Sequence, residues 1–409
     1  MRAIQFDLNL AKYAAAKLAG KQLPGLYYGR GSCVSLADVP EPRLRTDEWA
    51  KVRPLYAGVC GSDIATLTFK ASPLLSAFNS FPCVLGHEVV GVVTEAGAKS
   101  GVREGDRVAL DPFLGCAARG TPEPCPACDA GSHCLCYCAG DGALAPGRLI
   151  GYHRESLGGW GEAMVAHRSQ LLPVPAQVPD KVAAMFEPLA IGMHAVLLRP
   201  PPAGSHVLVI GGGIIAFAVI AALRLLELDC RITAVAWLPY QAELAKALGA
   251  EHTIGGGAPR QVEDALAEAS GARRLRTVIG PDAFVGGFHH SFDCIGTKDS
   301  IDQALRFTRA AGTVTLIGAA GIVEKLDLTP AWYKELTLVG SLGYAKEPAH
   351  GRRHTYEVLA ERVASTRLPL ERLATHTFPL EEFRTAIRAN LERGRFQSVK
   401  TLLAVGAAA

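Results

Sequence analysis

The stretch VLVIGGGIIA, residues 207–216, decides the fold of this chain. Four aliphatic residues come first, three glycines follow, and an apolar run rich in Ala, Ile and Leu continues to residue 223. This order predicts a buried strand, a tight turn and a buried helix. The uncharged run is also about 17 residues long, the lower limit for a membrane helix. Because the three glycines interrupt its middle, the strand–turn–helix interpretation fits better, and we predict no membrane span.

The same glycines indicate a ligand. Gly211, Gly213 and Ala216 match the pattern G-x-G-x-x-G/A. The first glycine permits the tight turn, the second lets the backbone approach a pyrophosphate, and the small third residue lets the helix pack against the strand. The pyrophosphate would rest on the helix N-terminus, which begins at Ile214. Glycines also mark plain turns, so the prediction of dinucleotide binding depends on the elements around this motif.

Those elements alternate between strand and helix from about residue 180 onward, which predicts a parallel, doubly wound sheet. The first half is instead rich in short β-branched segments separated by Gly, Asp and Pro. We therefore expect a first domain at residues 1–180, to which residues 345–409 return, and a dinucleotide-binding domain at 181–344. The strands expected in the second domain are 207–210, 232–236, 291–295, 313–317 and 336–339.

Composition excludes several classes of partner. The chain has 409 residues, with 42 basic against 39 acidic side chains, so no electrostatic case exists for nucleic acid or a membrane surface. Residues 1–20 lack the apolar core and cleavage site of a secretory signal. Eleven cysteines in a large chain without an export signal favour metal binding over disulfides. We predict a cytoplasmic protein with small-molecule partners.

Two short motifs carry the residue types of a catalytic zinc site, CGSD at residues 60–63 and GHE at residues 86–88. Zinc takes Cys sulfur, His nitrogen and Asp or Glu oxygen, and a catalytic site holds it with three protein ligands beside an open position. Taken singly, Cys60 could be a small buried hydrophobe and His87 a core histidine. Their combination makes metal binding the better interpretation.

With these motifs the chain resembles the zinc-dependent medium-chain dehydrogenases, which include alcohol, sorbitol and threonine dehydrogenases, over nearly its whole length. The resemblance implies a Rossmann-type doubly wound parallel sheet and a β-rich GroES-like catalytic domain. It implies Cys60 and His87 as ligands of a catalytic zinc. Glu88 resembles a carboxylate that binds or supports this zinc. The segment FEPLA at residues 186–190 resembles one that supplies a further ligand or a nearby acid, here Glu187.

Charge limits how many carboxylates we expect on the metal. Zn²⁺ with the Cys60 thiolate and one carboxylate is neutral, whereas a second carboxylate would leave the site at minus one. A more negative site is a weaker Lewis acid. We therefore expect either Glu88 or Glu187 on the metal at one time, with the other nearby.

A second metal site is predicted in six cysteines at residues 116–138. Many members of the family carry a structural zinc lobe with the spacing C-x2-C-x2-C-x7-C. The last two intervals match, but Pro122 stands where the first cysteine would be. We expect Cys116, further upstream, to complete a closed four-thiolate site, with Cys134 and Cys138 as alternatives. The expected ligands are Cys116, Cys125, Cys128 and Cys136.

The end of the second strand bears on the choice of cofactor. An acid that accepts the ribose hydroxyls is usual there, but Ala236 and Trp237 occupy the place. Without a carboxylate a 2′-phosphate is not repelled, although no Arg or Lys follows directly to attract one. We expect NAD(P), with a lean towards NADP. The resemblance adds Ile215, Ile317 and Gly318 to the residues expected along the cofactor.

These features predict a zinc-dependent oxidoreductase that transfers a hydride between an alcohol, or its aldehyde or ketone, and NAD(P). By resemblance, Ser62 passes the substrate proton outward, while the histidine that continues this path in many relatives is replaced at residues 64–66. A zinc-free NADPH-dependent reductase of the same fold and a non-catalytic cofactor-binding protein are the alternatives. Intact Cys60, His87 and Glu187 argue against the former. The resemblance also implies a homodimer or homotetramer.

Overall fold

The computed structural model describes residues 1–318 and 321–406; residues 407–409 of the predicted returning segment lie outside the described part. The chain forms two compact units. The first contains Met1–Glu187, Ala345–Ala364 and the chain from Ala374 onward, and the second contains Pro188–Tyr344 and Ser365–Leu373.

The first unit is built on a seven-stranded sheet, as the β-rich texture of the first half predicts. Its central strand, Trp49–Val59, pairs antiparallel with Val89–Ala96 on one side and with the last strand, Lys400–Ala404, on the other. The pairing places Leu402 opposite Gly58. The other strands of this sheet are Arg107–Leu110, Leu171–Pro173, Met164–His167 and Ala374–Pro379.

A smaller sheet and short helices surround this core. The sheet contains Val34–Asp38, Arg2–Phe6 and Cys83–Val84, and a hairpin pairs Lys346–Glu347 with Arg353–His354. Buried apolar side chains such as Phe6, Trp49 and Trp160 fill the space between the layers. Helices of eight or more residues that lie wholly or mainly in this unit are Leu10–Ala19, Thr355–Ser365 and Phe383–Leu391. Shorter ones are Gly25–Tyr28, Gly61–Leu67, Cys116–Arg119, Pro126–Asp129, Asp180–Ala183 and Arg393–Phe396.

The second unit is a doubly wound α/β fold, and the predicted fold class is confirmed. Six parallel strands lie in the order His252–Ile254, Cys230–Val235, Ser205–Ile210, Phe288–Asp293, Thr308–Leu316 and Thr337–Gly340. Helices connect them, chiefly Ile214–Leu225, Pro239–Ala247, Pro259–Ser270, Lys298–Phe307 and Thr329–Tyr333. Helix Phe186–Leu198 leads into this unit, and the strands Arg273–Leu275 and Ala283–Val285 form a separate hairpin.

The stretch 207–223 divides between two of these elements. Its β-branched half belongs to the strand Ser205–Ile210, and its Ala-rich half belongs to the helix Ile214–Leu225, most of whose residues are buried. Burial of most of the helix explains the lack of charge up to Leu223, and Arg224 in the last turn is only partly buried. None of the helices in the described residues combines the length and hydropathy that a membrane crossing requires.

Candidate functional site

Cys60 lies at the junction of a strand and a helix. The strand Trp49–Val59 ends directly before it, and the helix Gly61–Leu67 begins directly after it. One turn into the helix, Asp63 accepts a hydrogen bond from the backbone N–H of Cys60 at 2.9 Å. This contact fixes Cys60 at the N-terminus of the helix.

His87 and Glu88 lie on the segment between the strands Cys83–Val84 and Val89–Ala96, and both are buried. The Cys60 sulfur, an imidazole nitrogen of His87 and a carboxylate oxygen of Glu88 all lie within 4.8 Å of one another. Thiolate, imidazole and carboxylate are the donor types that zinc prefers, with bonds of about 2.0–2.3 Å. The group therefore has the chemistry and the compactness of a zinc site.

Behind His87 lies the carboxylate of Asp63, which is fully buried. Its Oδ1 lies 3.5 Å from His87 Nδ1, a long contact. Burial alone would lower the pKa of His87, but the charges of Asp63 and Cys60 outweigh it and raise that pKa well above its ordinary value. A carboxylate in this place orients an imidazole so that the other ring nitrogen faces a metal. The Oγ of Ser62 lies 3.4 Å from that nitrogen, Nε2.

Glu88 is paired with a buried lysine. Lys400 Nζ lies 2.6 and 2.7 Å from the two carboxylate oxygens and also donates to the carbonyl of Val59 at 3.2 Å. Both side chains are only 1% exposed. Gly58 leaves the necessary room, because a Cβ there would lie 1.8 Å from a Glu88 oxygen. Both oxygens of Glu88 are thus engaged and its charge is neutralised within the protein.

Glu187 presents the opposite situation at the start of the helix Phe186–Leu198. It is buried, and its Oε2 has no hydrogen-bond partner among the described residues. Burial raises the pKa of Glu187 to about 8; the charge of His87 works against this rise and that of Glu88 adds to it. Its carboxylate does not belong to the compact group with Cys60. An unpaired buried carboxylate is costly, so this oxygen calls for a cation nearby.

The four cysteines expected in a second metal site lie together. The sulfurs of Cys116, Cys125, Cys128 and Cys136 are all within 4.8 Å of one another. Backbone N–H groups approach them, at 3.3 Å on Cys116 and at 3.4 Å on Cys125 and Cys136. Burial opposes ionisation, yet the N–H contact from Tyr137 helps to lower the pKa of Cys125 to about 6. The pKa of Cys116 is lowered as well, whereas burial raises the pKa of Cys128 and Cys136, so the pocket favours thiolates at two of its four sulfurs.

Cys134 and Cys138, the predicted alternatives, lie outside this group of four. The lobe around the thiols is held by Arg119, a fully buried arginine. Its guanidinium donates at 2.9 Å to three backbone carbonyls, those of Asp141, Ala145 and Gly147. A charged group buried in this way ties the lobe to one conformation.

A third compact group consists of Asp111, His133 and His354, which sequence reasoning did not find. The Nε2 atoms of both histidines contact the same oxygen of Asp111, His133 in a direct hydrogen bond and His354 at 3.2 Å. The N–H of Tyr356 donates to His354 Nδ1 at 3.2 Å, so His354 carries its proton on Nε2. A protonated nitrogen cannot bind a metal. Burial opposes the charges, but their attraction lowers the pKa of Asp111 and raises that of His133, which identifies a buried ion pair.

The glycine-rich turn lies at the carboxyl end of the strand Ser205–Ile210. Gly211 has φ of +135°, a conformation that residues with a Cβ rarely adopt. Gly213 caps the helix Ile214–Leu225, whose first turn contains Ile215. Ligands of doubly wound sheets bind outside the carboxyl ends of the strands, so this turn has the predicted geometry.

Ala236 and Trp237 directly follow the neighbouring strand, Cys230–Val235, and so lie at the carboxyl end of the sheet as well. Ala236 is buried, whereas Trp237 is 46% exposed. Gln241 accepts the N–H of Leu238 at 3.1 Å, and its carboxamide lies beside Gly212, 2.4 Å from where a Cβ would be. A neutral amide therefore lies next to the glycine turn.

Ile317 and Gly318 follow the strand Thr308–Leu316 and also lie at the carboxyl end of the sheet. Their N–H groups both donate to the carbonyl of Asp293, at 2.9 and 3.0 Å. The predicted cofactor residues of the second unit thus share one end of the sheet.

The sequence did not identify three residues near Cys60, His87 and Glu88, namely Asp63, Lys400 and Tyr152. The phenol of Tyr152 donates to Asp63 at 3.0 Å. Asp63 stands inside the CGSD motif, and its position three residues after Cys60 at a helix start could have identified it as a capping acid. Lys400 contacts a residue 312 positions away, and a strand pairing that distant leaves no local signal.

The fold and the site define a zinc-type oxidoreductase with a Rossmann-type nucleotide-binding unit. Residues 46–176 match the alcohol dehydrogenase GroES-like domain, and residues 215–365 match the zinc-binding dehydrogenase domain.

Two relatives match this chain in sequence, and one solved structure matches its fold, over most of its length. It is 30% identical over 334 residues to L-idonate 5-dehydrogenase of Vitis vinifera, covering 81% of each chain. It is 28% identical over 343 residues to (R,R)-butanediol dehydrogenase of Saccharomyces cerevisiae, covering 78% of this chain and 83% of the relative. A zinc-binding dehydrogenase of Sinorhizobium meliloti 1021, solved with NADP bound, superposes with a TM-score of 0.70 at 26% identity, covering 91% of this chain and 95% of that one.

The chain belongs to the zinc-type medium-chain dehydrogenase family. It is accordingly an oxidoreductase that acts on alcohols, with zinc and NAD(P) as cofactors.

Proposed function

We propose that Cys60 and His87 hold the catalytic zinc of an alcohol dehydrogenase and that Ser62 binds the hydroxyl of the substrate beside it. The observation that carries this proposal is the Cys60 sulfur and an imidazole nitrogen of His87 within 4.8 Å of each other, backed by the buried Asp63. When bound there, zinc would supply a Lewis acid beside the substrate oxygen, and a nicotinamide would supply the hydride acceptor. Ser62 is suited to accept the hydroxyl hydrogen because its Oγ lies 3.4 Å from the imidazole nitrogen proposed to face the metal.

Of the two candidate carboxylates, we assign Glu187 to the metal and Glu88 to the surrounding structure. Lys400 engages both oxygens of Glu88, so ligation by Glu88 would leave a buried lysine unpaired. Glu187 offers a buried oxygen without a partner among the described residues. With one thiolate and one carboxylate, the zinc site would be neutral. Glu187 lies outside the compact group, so this assignment requires its side chain to move towards the metal.

Replacement of Glu187 by Gln is expected to lower the zinc affinity of the catalytic site by tenfold or more, because the metal loses an anionic ligand. Glu88→Gln should keep the zinc but lower the free energy of unfolding by about 3–5 kcal/mol, because Lys400 is left charged and buried. Zinc competition with a chelator and urea unfolding measure the two effects. The double variant Glu88→Gln/Lys400→Met is the control and should recover most of the lost stability. Retention of zinc by Glu187→Gln and its loss by Glu88→Gln would reverse the assignment.

We also propose a structural zinc bound by Cys116, Cys125, Cys128 and Cys136. Four thiolates form a closed tetrahedral site, which leaves no position for substrate. Backbone N–H contacts on all four sulfurs and the lowered pKa of Cys116 and Cys125 support this proposal. All eleven cysteines are unbridged, which suits a reducing compartment such as the cytoplasm.

Metal analysis tests both zinc proposals at once. The wild-type chain is expected to carry about two zinc ions, one in each type of site. Cys60→Ala should retain about one zinc ion and lose turnover at least a thousandfold, because the Lewis acid is lost. Cys125→Ala should also retain about one but lose mainly thermal stability. Inductively coupled plasma spectrometry on the dialysed proteins gives the counts. Full turnover by Cys60→Ala would disprove the proposed active site.

For the cofactor, we propose a preference for NADP over NAD. Ala236 and Trp237 place no carboxylate at the end of the second strand, and Gln241 is a neutral neighbour that does not repel a 2′-phosphate. The NADP in the Sinorhizobium meliloti relative agrees with this lean.

Comparison of the two cofactors tests this preference. The kcat/KM with NADPH is expected to exceed that with NADH by a few-fold rather than by orders of magnitude, because no Arg or Lys follows directly after the strand. Polyols and vicinal diols are the first substrates to try, since the relatives are named for idonate, butanediol and sorbitol. Ala236→Asp should shift the ratio towards NADH at least tenfold through repulsion of the 2′-phosphate. A strong preference of the wild type for NADH would refute the proposed preference for NADP.

We propose that the chain self-associates through the edge of the six-stranded sheet. Among the described residues, the outer strand Thr337–Gly340 pairs on one side only, and apolar side chains near it in the sequence are exposed. Leu338 is 45%, Leu342 49% and Trp332 81% exposed. An open apolar edge is a template for pairing with a second strand.

Sedimentation velocity at micromolar concentration is expected to give a dimer or tetramer. Leu338→Lys should shift the population towards the monomer, because a charge on the edge strand opposes pairing. Leu275→Lys, at another exposed leucine of the same unit, is the matched control and should leave the assembly unchanged. A wild-type monomer, or an equal effect of both variants, would disprove the proposed interface.

A further inference from the structure

Tyr152 lies beside the hydroxyl of Ser62, next to the compact group of Cys60, His87 and Glu88. Its side chain is buried, with the residue only 5% exposed. The phenol oxygen donates to Asp63 Oδ1 at 3.0 Å and lies 3.3 Å from Ser62 Oγ. The ring also lies 5.6 Å from the imidazole of His87, centre to centre. The hydroxyl of Thr66 is a further hydrogen-bond partner of the phenol.

The available hydrogens fix the direction of these bonds. Tyr152 has one O–H, and the carboxylate of Asp63 can only accept, so the shorter contact receives this hydrogen. The lone pairs of the phenol oxygen then remain for the hydroxyls of Ser62 and Thr66. At 3.3 Å the phenol is placed as a donor to Ser62 Oγ, but its one hydrogen goes to Asp63, so we infer that Ser62 donates to Tyr152 in turn.

This order has a consequence for Ser62. With its hydrogen turned towards Tyr152, the Oγ keeps its lone pairs free of that bond, and His87 Nε2 lies 3.4 Å from it. A hydroxyl held in this way is ready to accept the hydrogen of an alcohol beside the metal. A freely rotating hydroxyl would first have to lose rotational freedom.

We propose that Tyr152 is a positioning residue that fixes the hydroxyl of Ser62 for substrate binding. Residues 64–66 carry no histidine, so the phenol supplies the side-chain partner of Ser62 in this chain. Tyr152 acts through Ser62 and needs no contact with substrate. The inference rests on the proposed function, because it assumes that alcohol binds beside the metal next to Ser62.

A double-mutant cycle tests the coupling. Tyr152→Phe removes one oxygen and is expected to lower kcat and to raise KM for the alcohol, so that kcat/KM falls roughly three- to tenfold, the size of one hydrogen bond. Ser62→Ala should cost more. In the Ser62→Ala background, Tyr152→Phe should cost nothing further, because its target is gone. Losses that multiply in the double variant, or an unchanged kcat in Tyr152→Phe, would overturn the proposal.

Binding to the cobalt-substituted protein gives a readout that needs no turnover. The visible absorption of Co²⁺ reports binding of 2,2,2-trifluoroethanol, an unreactive alcohol. Tyr152→Phe should weaken this binding three- to tenfold in the wild-type background and leave it unchanged in Ser62→Ala. If Tyr152→Phe instead lost the metal, the phenol would act through Asp63 and His87, and the proposal would fail.

Tyr356→Phe is the matched control. Tyr356 is also buried, and its phenol donates to the carbonyl of Leu110 at 3.1 Å, away from Ser62. Both variants should lose similar thermal stability, but only Tyr152→Phe should change kcat and alcohol binding. Equal effects of the two would reduce Tyr152 to a packing role. Failure of the proposed function itself would appear separately, as full turnover in Cys60→Ala.

Discussion

The buried carboxylate of Asp63 is the constraint on which the proposed metal site depends. It accepts the backbone N–H of Cys60 and the phenol of Tyr152, and it faces the imidazole of His87. A carboxylate with no exposed surface is tolerated only when donors surround it. Two donors are the backbone N–H of Cys60 and the phenol of Tyr152, while the imidazole of His87 lies 3.5 Å away without a hydrogen bond. In the proposed site, the buried charge of Asp63 therefore fixes the backbone of Cys60, and through Tyr152 it also positions Ser62.

A second buried pair keeps the charge of the site in balance. Lys400 neutralises Glu88 inside the protein, so Glu88 adds nothing to the net charge around the metal. The thiolate of Cys60 and a single further carboxylate then match the two charges of zinc. This arrangement keeps the Lewis acidity that a third negative ligand would weaken. Gly58 makes the pairing of Glu88 with Lys400 possible, because any side chain at this position would displace the carboxylate of Glu88.

The sequence predicted those parts of the fold and site that local patterns encode. The strand–turn–helix at residues 207–216 is visible because its glycines and its β-branched run are adjacent. The grouping of Cys116 with Cys125, Cys128 and Cys136 was expected despite an irregular first interval, and the four sulfurs lie together. Whether they bind zinc stays a prediction.

Contacts between distant segments could not be predicted in the same way. Lys400 reaches Glu88 only because the last strand pairs with Trp49–Val59, and one pairing among many possible ones leaves no mark in a single sequence. The ion pair of Asp111 with His133 and His354 likewise joins three separate segments. In both cases a buried charge finds its partner through tertiary structure, where the low dielectric makes the pairing obligatory. Local motifs therefore identify the residues proposed to hold the metal, whereas the charges that surround those residues become visible only in the folded chain.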